Sequence, residues 1–253
     1  MNRARTISSK WIKTKVLLLN RDLRKFVPET RIYSQANLLQ MLIKHKMVYV
    51  KPSTGTAGNG VIRVMKDNKY RFQAGKVVKS FGSFQGLFTA LNKAKLDRTY
   101  LVQQGIHLIT HQKRIFDTRI MVQKSPLKIW ETTGYVGRVA HPKKIVTNFH
   151  NSGKVLPLEL LLGSYVQGQK KKKYIHSLQN LGYRIATHYQ KSYPRFKEIG
   201  IDIGIDKQLK PWVLEVNTSP DPFIFNQLKD KKMFFKVLRY AKANGRFLRI
   251  KRK

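Results

Sequence analysis

A glycine-rich loop between two apolar segments constrains the fold more than any other feature of this chain. The segment VYVKPSTGTAGNGVIRV places Gly55, Gly58 and Gly60 between two strand-like runs. Glycine lets backbone amides approach a phosphate group because no Cβ atom stands in the way, and Lys51 can add an ammonium group at the strand end. No Gly-Lys-Ser/Thr enters a helix here, which excludes a Walker loop, and the loop does not match a dinucleotide fingerprint either. A flexible hairpin turn is the alternative interpretation of the loop alone.

Helical and strand-like patterns follow one another along the chain without a strict βαβ order. Apolar residues at helical spacing predict helices over 34–47, 83–95, 174–192 and 230–243. Strand patterns cover residues 48–50, 61–65, 99–109, 114–124 and 129–146. The lysine run at 170–173 is expected to be a solvated loop. This mixture favours an α+β or mixed α/β fold.

Three polar residues near the end of the chain form a candidate metal site. The segment IGIDIGIDKQLKPWVLEVN is typical of a hairpin. If it closes with a two-residue turn at Gln208-Leu209, Asp202 lies opposite Glu215, and strand alternation places Asn217 on the same face. Two carboxylates and an amide oxygen suit Mg²⁺ bound together with substrate phosphates. The alternative is an ordinary ion pair between Glu215 and one of the many basic residues.

The segment FDTRIMV is a second candidate for contact with phosphate. Strand alternation places Asp117 and Arg119 on one face. The planar guanidinium of Arg119 could clamp a transferring phosphoryl group, or it could pair with Asp117. The pattern leaves both interpretations open.

Unbalanced positive charge also restricts the function. The chain has 51 Lys and Arg against 13 Asp and Glu, which gives a formal net charge of +38. Such a charge concentrates polyanions, so the expected partners are nucleic acid, nucleotide phosphates, an acidic polypeptide or an anionic surface. The absence of cysteine excludes disulfides, thiolate catalysis and cysteine metal sites. The apolar run Val16–Leu19 is too short for a signal peptide or a membrane span, so a cytoplasmic location is expected.

The motifs and their order resemble the ATP-grasp superfamily, and more closely its YheC/YheD type, which is associated with the coats of bacterial endospores. The resemblance covers roughly Pro28 to Tyr240 and rests on KPSTGTAGNG, YLVQQGI, FDTRIMVQK, VTNFHNSGK, GIDIGID and WVLEVNTSPD. It implies an ATP-grasp fold in which two lobes hold ATP between antiparallel sheets. The expected divisions are a basic N-terminal segment with a reduced pre-grasp region at 1–29, an ATP-grasp domain at 30–243 and a basic tail at 244–253. The lid lobe is expected at about 48–105 and the catalytic lobe at about 106–243.

The same resemblance implies a role for each motif. The glycine-rich hairpin would form a lid over the ATP phosphates, Lys51 would contact them, and Arg119 would face the γ-phosphate. Arg138 matches a basic position that family members direct toward the acyl phosphate. The nucleotide-binding residues would be Lys51, Gly55, Gly58, Asn59, Gly60, the hinge residues Gln103, Gln104, Gly105 and Ile106, and Asn148. The Mg²⁺ ligands would be Asp202, Glu215 and Asn217.

Two departures from the family pattern concern the acceptor side. Relatives tend to have Asn, two residues, Arg, Gly and Gly where this chain has NFHNSG at 148–153, so a basic residue and one glycine are missing. The region before Pro28 is shorter than the N-terminal domain of other ligases in the superfamily. An acceptor-binding surface is therefore expected to be reduced, absent, or supplied by a partner.

The activity that the resemblance implies is ligation that depends on ATP and Mg²⁺. A carboxylate attacks the γ-phosphate of ATP, and an amine then displaces phosphate from the acyl phosphate, a route that needs positioning and charge neutralisation more than proton transfer. The net charge favours an acidic peptide or a spore or cell-envelope component as substrate, with a cytoplasmic or spore-associated location. Two alternatives stay open. One is a non-catalytic, nucleotide-binding spore-coat or scaffold protein, and the other is a basic nucleic-acid-binding protein.

Overall fold

In the part of the chain that the structure describes, the strands form two six-stranded sheets with helices packed on them. The structure, a computed structural model, describes residues 6–56, 58–141 and 153–247. The strands are β1 Thr30–Ile32, β2 Met47–Pro52, β3 Ile62–Lys66, β4 Tyr70–Ala74, β5 Val77–Phe81, β6 Tyr100–Gln104, β7 Thr110–His111, β8 Arg114–Lys124, β9 Trp130–Val139, β10 Lys154–Leu156, β11 Glu198–Ile205 and β12 Pro211–Asn217. The α-helices are α1 Lys10–Leu18, α2 Gln35–His45, α3 Phe84–Ala94, α4 Leu158–Leu162, α5 Gly168–Ser192 and α6 Lys232–Ala243, and two 3-10 helices cover Arg24–Phe26 and Phe223–Gln227. The predicted mixed α/β class is confirmed.

The first sheet forms the lobe that carries the glycine-rich loop. Its antiparallel strands run in the order β1-β6-β2-β3-β4-β5. Helices α2 and α3 cover it through a core that includes the fully buried Leu38 and Leu87. Ser34 and Ser83 begin these helices, because each hydroxyl accepts a hydrogen bond from the backbone amide three residues on. Both helices lie where helical spacing predicts them.

The second sheet is covered by helices on both faces. Its strands run in the order β10-β9-β8-β11-β12, and β7 pairs with β8. Side chains alternate along β8, so Ile120 and Val122 lie in the core that α5 covers, while Met121 lies in the core that α6 covers. Gly182 lets α5 approach β8 closely, since a Cβ there would lie 2.8 Å from Ile120 Cγ2. The strand predicted over 129–146 is β9 up to Val139, and residues 142–152 lie outside the described part.

Helix α1 is the largest element that the sequence patterns did not predict. Its side chains Val16 and Leu17 are buried in the same core as the residues of α5. The hydroxyl of Tyr189 in α5 donates to the carbonyl of Lys13 at 2.5 Å. The described part of the basic N-terminal segment is thus packed into the second lobe, which gives α1 a fixed position beside β12.

Two predicted elements need correction. The strand predicted over 99–109 ends at Gln104, which pairs with Val48, because the neighbouring strand β2 begins at Met47 and extends only one residue beyond this pair. The lysine run at 170–173 is not a loop but belongs to the first turns of α5. Lysine is a good helix former, and the run stays largely exposed, so its hydrated charges do not prevent the helix from starting earlier. Strands β4 and β5 were also missed.

The last hairpin reaches the predicted register by a different route. Ile205 pairs with Pro211 and the Asp206 amide donates to the Lys210 carbonyl at 3.1 Å, so the turn has three residues and not two. A β-bulge that leaves Leu214 without a partner in the register then shifts the pairing by one residue. The longer turn and the bulge shift the pairing by one residue in opposite directions, so Asp202 lies opposite Glu215 as predicted.

Candidate functional site

A cleft of about 340 Å³ lies between the two sheets and brings most of the predicted site residues together. The predicted residues that line it are Lys51, Gly55, Gly58, Asn59, Gln103, Gln104, Ile106, Arg119, Arg138, Asp202, Glu215 and Asn217. Gly60 and Gly105 pack instead against Tyr100 and Met47. Asn148 lies outside the described residues.

The glycine-rich loop is anchored to the N-terminal helix. The Lys10 amide donates to the Ser53 carbonyl at 2.6 Å, and Lys10 Nζ donates to the Gly55 carbonyl at 2.7 Å. Gly55 has φ +111° and Gly60 has φ +75°, values that residues with a side chain rarely adopt. Glycine is required at position 60 for a second reason, since a Cβ would lie 2.8 Å from the Tyr100 hydroxyl.

Strand β6, where the hinge residues were predicted, holds Lys51 through the side chain of Gln103. Lys51 Nζ donates to Gln103 Oε1 at 2.7 Å and to the Leu214 carbonyl at 3.3 Å. Gln103 in turn donates through Nε2 to Thr30 Oγ1 at 3.0 Å. The Leu214 carbonyl is available because the bulge takes this residue out of the regular pairing. Lys51 therefore joins the two lobes at the floor of the cleft.

Burial makes Lys51 an unusually weak base. Only 8% of the residue is exposed. Burial lowers the pKa of Lys51 from 10.5 to about 8, and the neighbouring Lys10 and Lys13 act in the same direction against Glu215. An ammonium held in this way gains most from an additional anion in the cleft.

Three neighbouring strands place a row of charged residues across the second sheet. The backbone register sets Arg138 of β9 opposite Asp117 of β8, and Arg119 of β8 opposite Asp202 of β11. The fork of Arg138 donates to Asp117 at 2.7 Å and 2.5 Å and reaches Asp202 at 3.0 Å. Arg119 Nε donates to Asp202 Oδ1. Arg119 is thus paired with Asp202, whereas the sequence offered Asp117 as its partner.

Two members of this row, Asp202 and Arg138, are buried and have shifted pKa values. Burial alone would raise the pKa of Asp202, but Arg119 and Arg138 hold it at about 2. Burial alone would lower the pKa of Arg138, but Asp117 and Asp202 raise it above the ordinary value. The two guanidinium groups consequently keep fixed orientations toward the cleft.

Glu215 is held by two lysines that the sequence patterns did not identify. Lys10 Nζ lies 3.1 Å and Lys13 Nζ 3.3 Å from the same oxygen, Glu215 Oε1. Burial would raise the pKa of Glu215, but Lys13, Lys10 and Lys51 together lower it. The two lysines are three residues apart and share one face of α1. That spacing becomes informative once the segment is known to be helical.

The donor chemistry of the predicted metal ligands fits Mg²⁺ bound with phosphates. Asp202 and Glu215 are adjacent across two strands, and Asn217 adds an amide oxygen on the same cleft. Both carboxylates form ion pairs with basic residues. No group of three or more His, Cys, Asp and Glu that could hold a metal exists among the residues that the structure describes. Two carboxylates and one amide oxygen would leave coordination positions of Mg²⁺ open to phosphate oxygens.

The ion pairs of Asp202 predict a loss of stability in acid. Because the pKa in the folded state is about 2 and the ordinary value is 3.8, this stabilisation is present above about pH 4 and is lost as the pH falls to about 2. We expect it to contribute about 2 kcal/mol to the free energy of unfolding. Urea unfolding of wild type and Asp202→Asn between pH 5 and 2 measures how steeply the free energy of unfolding falls in acid, which we call the acid slope. The part of the acid slope that is due to Asp202 should be absent in the variant.

Glu29 provides the control for this experiment. Its pKa is also lowered, to about 2, because Lys44, His45 and Arg31 outweigh burial. The cluster is partly exposed, so solvent screens it, and Glu29→Gln should change the acid slope less than Asp202→Asn does. An Asp202→Asn slope equal to the wild-type slope would contradict the expectation.

Comparison with known proteins gives the family. A model of YheC/D-like ATP-grasp proteins matches residues 2–247. The chain belongs to the YheC/D-like ATP-grasp family. Two relatives are the endospore coat-associated proteins YheD and YheC of Bacillus subtilis strain 168, with 24% identity over 229 residues and 23% over 225 residues. These matches cover 88% and 85% of this chain but 50% and 61% of the relatives, so the chain spans about half to three-fifths of their length.

A solved structure shows that this YheC/D-like chain has the ATP-grasp fold. The N5-carboxyaminoimidazole synthase from Aspergillus clavatus, in complex with ADP and 5-aminoimidazole ribonucleotide, matches with a TM-score of 0.56 and 13% identity. The match covers 96% of this chain and 53% of the synthase. The fold expected from the motifs is thereby confirmed. Within the described residues, no helix is long and apolar enough to cross a membrane.

Proposed function

We propose that this chain binds ATP with Mg²⁺ and joins a carboxylate to an amine through an acyl phosphate. The observation that carries the proposal is the charge balance of the cleft and its wall. The basic side chains there are Lys10, Lys13, Lys51, Arg119 and Arg138, against the carboxylates Asp117, Asp202 and Glu215 and the half-buried Asp221, so the cations outnumber the carboxylates by one. A buried excess of positive charge is unfavourable unless an anion completes it. A triphosphate supplies that anion.

The glycine-rich loop and the lysines would bind the phosphates. Gly55 and Gly58 line the cleft and carry no Cβ atom, which suits close contact between their backbone amides and phosphate oxygens. Lys51 precedes this loop and Lys10 Nζ contacts its Gly55 carbonyl, so both place ammonium groups beside its first half. Lys10 also contacts Glu215, so the position of the loop is coupled to the second lobe. Bound Mg²⁺, held by Asp202, Glu215 and Asn217, would neutralise phosphate charge.

The arginines would act on the transferring group. A carboxylate oxygen of the substrate attacks the γ-phosphorus, the bond to the bridging oxygen of ADP breaks, and ADP leaves. The amine then attacks the acyl carbon, inorganic phosphate leaves, and the nitrogen loses a proton. Arg119 and Arg138 keep fixed charges throughout, because both are locked by buried carboxylates. Such preorganised cations stabilise the charge that develops during transfer.

The finer features of the proposal concern the substrate and the location. The net charge of +38 supports an acidic peptide or a spore or cell-envelope component as the carboxylate or amine substrate. The names of the two Bacillus subtilis relatives support a spore-associated role. A cytoplasmic enzyme acting on components of the spore would agree with both.

The test begins with binding of Mg·ATP, measured by calorimetry. It continues with release of ADP and phosphate in the presence of panels of carboxylates and amines. Glu215→Ala should lower ADP release at least about tenfold, because it removes one of the two carboxylates of the metal site. Glu131→Ala is the matched control, since Glu131 is a partly exposed carboxylate of the same sheet that pairs with Lys236. Wild type that does not bind Mg·ATP, or a Glu215→Ala variant that behaves like Glu131→Ala, would refute the proposal.

A nucleotide-binding scaffold without turnover is the second candidate. It is favoured by the ion pairs that already occupy Asp202 and Glu215. Binding of Mg·ATP without ADP release in any combination of the panel would support the scaffold over the ligase.

A further inference from the structure

Six exposed or half-exposed lysines lie on α5 and on the β11–β12 turn that contacts it. We call these residues the lysine surface: Lys170, Lys171, Lys172 and Lys173 of α5, with Lys207 and Lys210 of the β11–β12 turn. We infer that the lysine surface is a docking site for an acidic polypeptide. The inference does not depend on the proposed ligase activity.

The two parts of the lysine surface are held together. The hydroxyl of Tyr174 in α5 donates to the carbonyl of Leu209 in the turn at 2.7 Å. Both side chains are packed against the core of the second lobe. Lys170 and Lys171 lie four and three residues before Tyr174, on the helix face that meets the turn. This helix face and the turn therefore present Lys170, Lys171, Lys207 and Lys210 together, whereas Lys172 and Lys173 project from adjoining faces of α5.

In the part of the chain that the structure describes, Asp206 is a carboxylate beside this surface, and it forms no ion pair with any of the six lysines. Helix α5 has no acidic residue along its whole length. The nearby Asp206 uses its carboxylate to accept from the amides of Gln208 and Lys210, at 3.0 Å and 2.9 Å, and from the Trp212 indole at 2.8 Å. None of the six lysines belongs to an ion pair with a described residue. Neighbouring like charges in a helix repel, so this arrangement lowers stability unless an external anion compensates it.

The chemistry of the surface favours carboxylates over nucleic acid. All six cations are lysines, which are hydrated point charges, and the surface lacks the arginine fork that recognises phosphate with two hydrogen bonds. The neighbouring aromatic ring, that of Trp212, is covered by Lys210 Nζ at 3.7 Å from its centre. A covered ring is not available to stack on a base, which is the usual aromatic contact with single strands.

An open groove leads from the lysine surface to the hinge. It has a volume of about 440 Å³ and is lined by 104–107, 206–208 and Trp212. Gln104 and Ile106 line both this groove and the cleft. An acidic polypeptide bound to the lysines would thus extend along the hinge edge of the cleft.

The experiment compares two variants of equal net charge. The surface variant replaces the six lysines by Gln, which keeps helix propensity almost unchanged. The control variant replaces six other exposed lysines by Gln, namely Lys76, Lys79, Lys93, Lys128, Lys229 and Lys232. Fluorescence anisotropy without nucleotide measures binding of labelled poly-L-glutamate and of a DNA duplex at about 0.1 M salt, where long-range effects of net charge are screened.

We expect the surface variant to raise the Kd for poly-L-glutamate at least about tenfold and the control variant less than about threefold. Equal effects of both variants would refute a defined site. Tighter binding of the DNA duplex, lost selectively in the surface variant, would replace the acidic polypeptide by nucleic acid and so overturn the inference. If the surface variant does not fold by circular dichroism, Lys207→Gln with Lys210→Gln tests the same expectation against Lys229→Gln with Lys232→Gln.

Discussion

Replacement of Arg138 by Met should lower the free energy of unfolding by about 3–5 kcal/mol. Arg138 is 3% exposed, and its guanidinium contacts both Asp117 and Asp202. Without it, Asp117 loses both hydrogen bonds from this fork, and Asp202 keeps Arg119. A buried carboxylate that loses its cation bears the full desolvation penalty, so the loss should far exceed that of an exposed ion pair. Urea unfolding of wild type and variant at neutral pH measures this loss in the free energy of unfolding.

Two further variants separate this cause from a general packing defect. Arg184→Met removes an exposed arginine whose guanidinium lies 3.7 Å from Asp22, and it should cost less than about 1 kcal/mol. Adding Asp117→Asn to Arg138→Met removes one of the two carboxylates that Arg138 contacts and should recover part of the loss. If Arg138→Met is no more destabilising than Arg184→Met, the buried row of charges does not stabilise the second sheet in the way its geometry implies.

The site was predictable where it follows from strand alternation. Arg119, Asp202 and Glu215 lie on strands, and their side chains meet because neighbouring strands in a sheet bring residues into fixed rows. The pairing of Asp202 with Glu215 was nevertheless predicted through a wrong turn length. The bulge at Leu214 corrected it, and a bulge leaves no clear mark in an isolated sequence.

The contribution of α1 could not be predicted from local patterns. Lys10 and Lys13 lie about two hundred residues from Glu215 along the chain, and only the packing of Val16 and Leu17 against the second lobe brings them near it. The lysine run at 170–173 is a different case, because one of its two properties was predictable. Its exposure was predictable from charge, but its helical backbone depends on the long amphipathic helix that continues to Ser192. Tertiary contacts decided both cases.

Lys51→Met should weaken binding of Mg·ATP roughly 10- to 100-fold, the loss typical of one hydrogen bond to a charged group. The ammonium of Lys51 is buried at the floor of the cleft, where Gln103 and Leu214 fix its position. Lys79→Met is the matched control, because Lys79 is an exposed lysine of the same sheet. Equal affinities of these two variants, measured by calorimetry at pH 7, would exclude Lys51 from the phosphate site.

The pH dependence of wild type tests the same residue through its charge. With a pKa of about 8, Lys51 is mostly protonated at pH 7 and mostly neutral at pH 9, so affinity for Mg·ATP should fall about tenfold over this range. Lys51→Arg keeps its charge and should show a flat profile, whatever its absolute affinity. The free energy of unfolding should follow the opposite trend. The unfolded state binds the proton of Lys51 more tightly than the folded state, so the contribution of Lys51 to stability rises between about pH 8 and pH 10. If affinity for Mg·ATP falls while the free energy of unfolding does not, the loss of affinity is due to deprotonation of Lys51. If affinity and the free energy of unfolding fall together, the loss of affinity is due to unfolding.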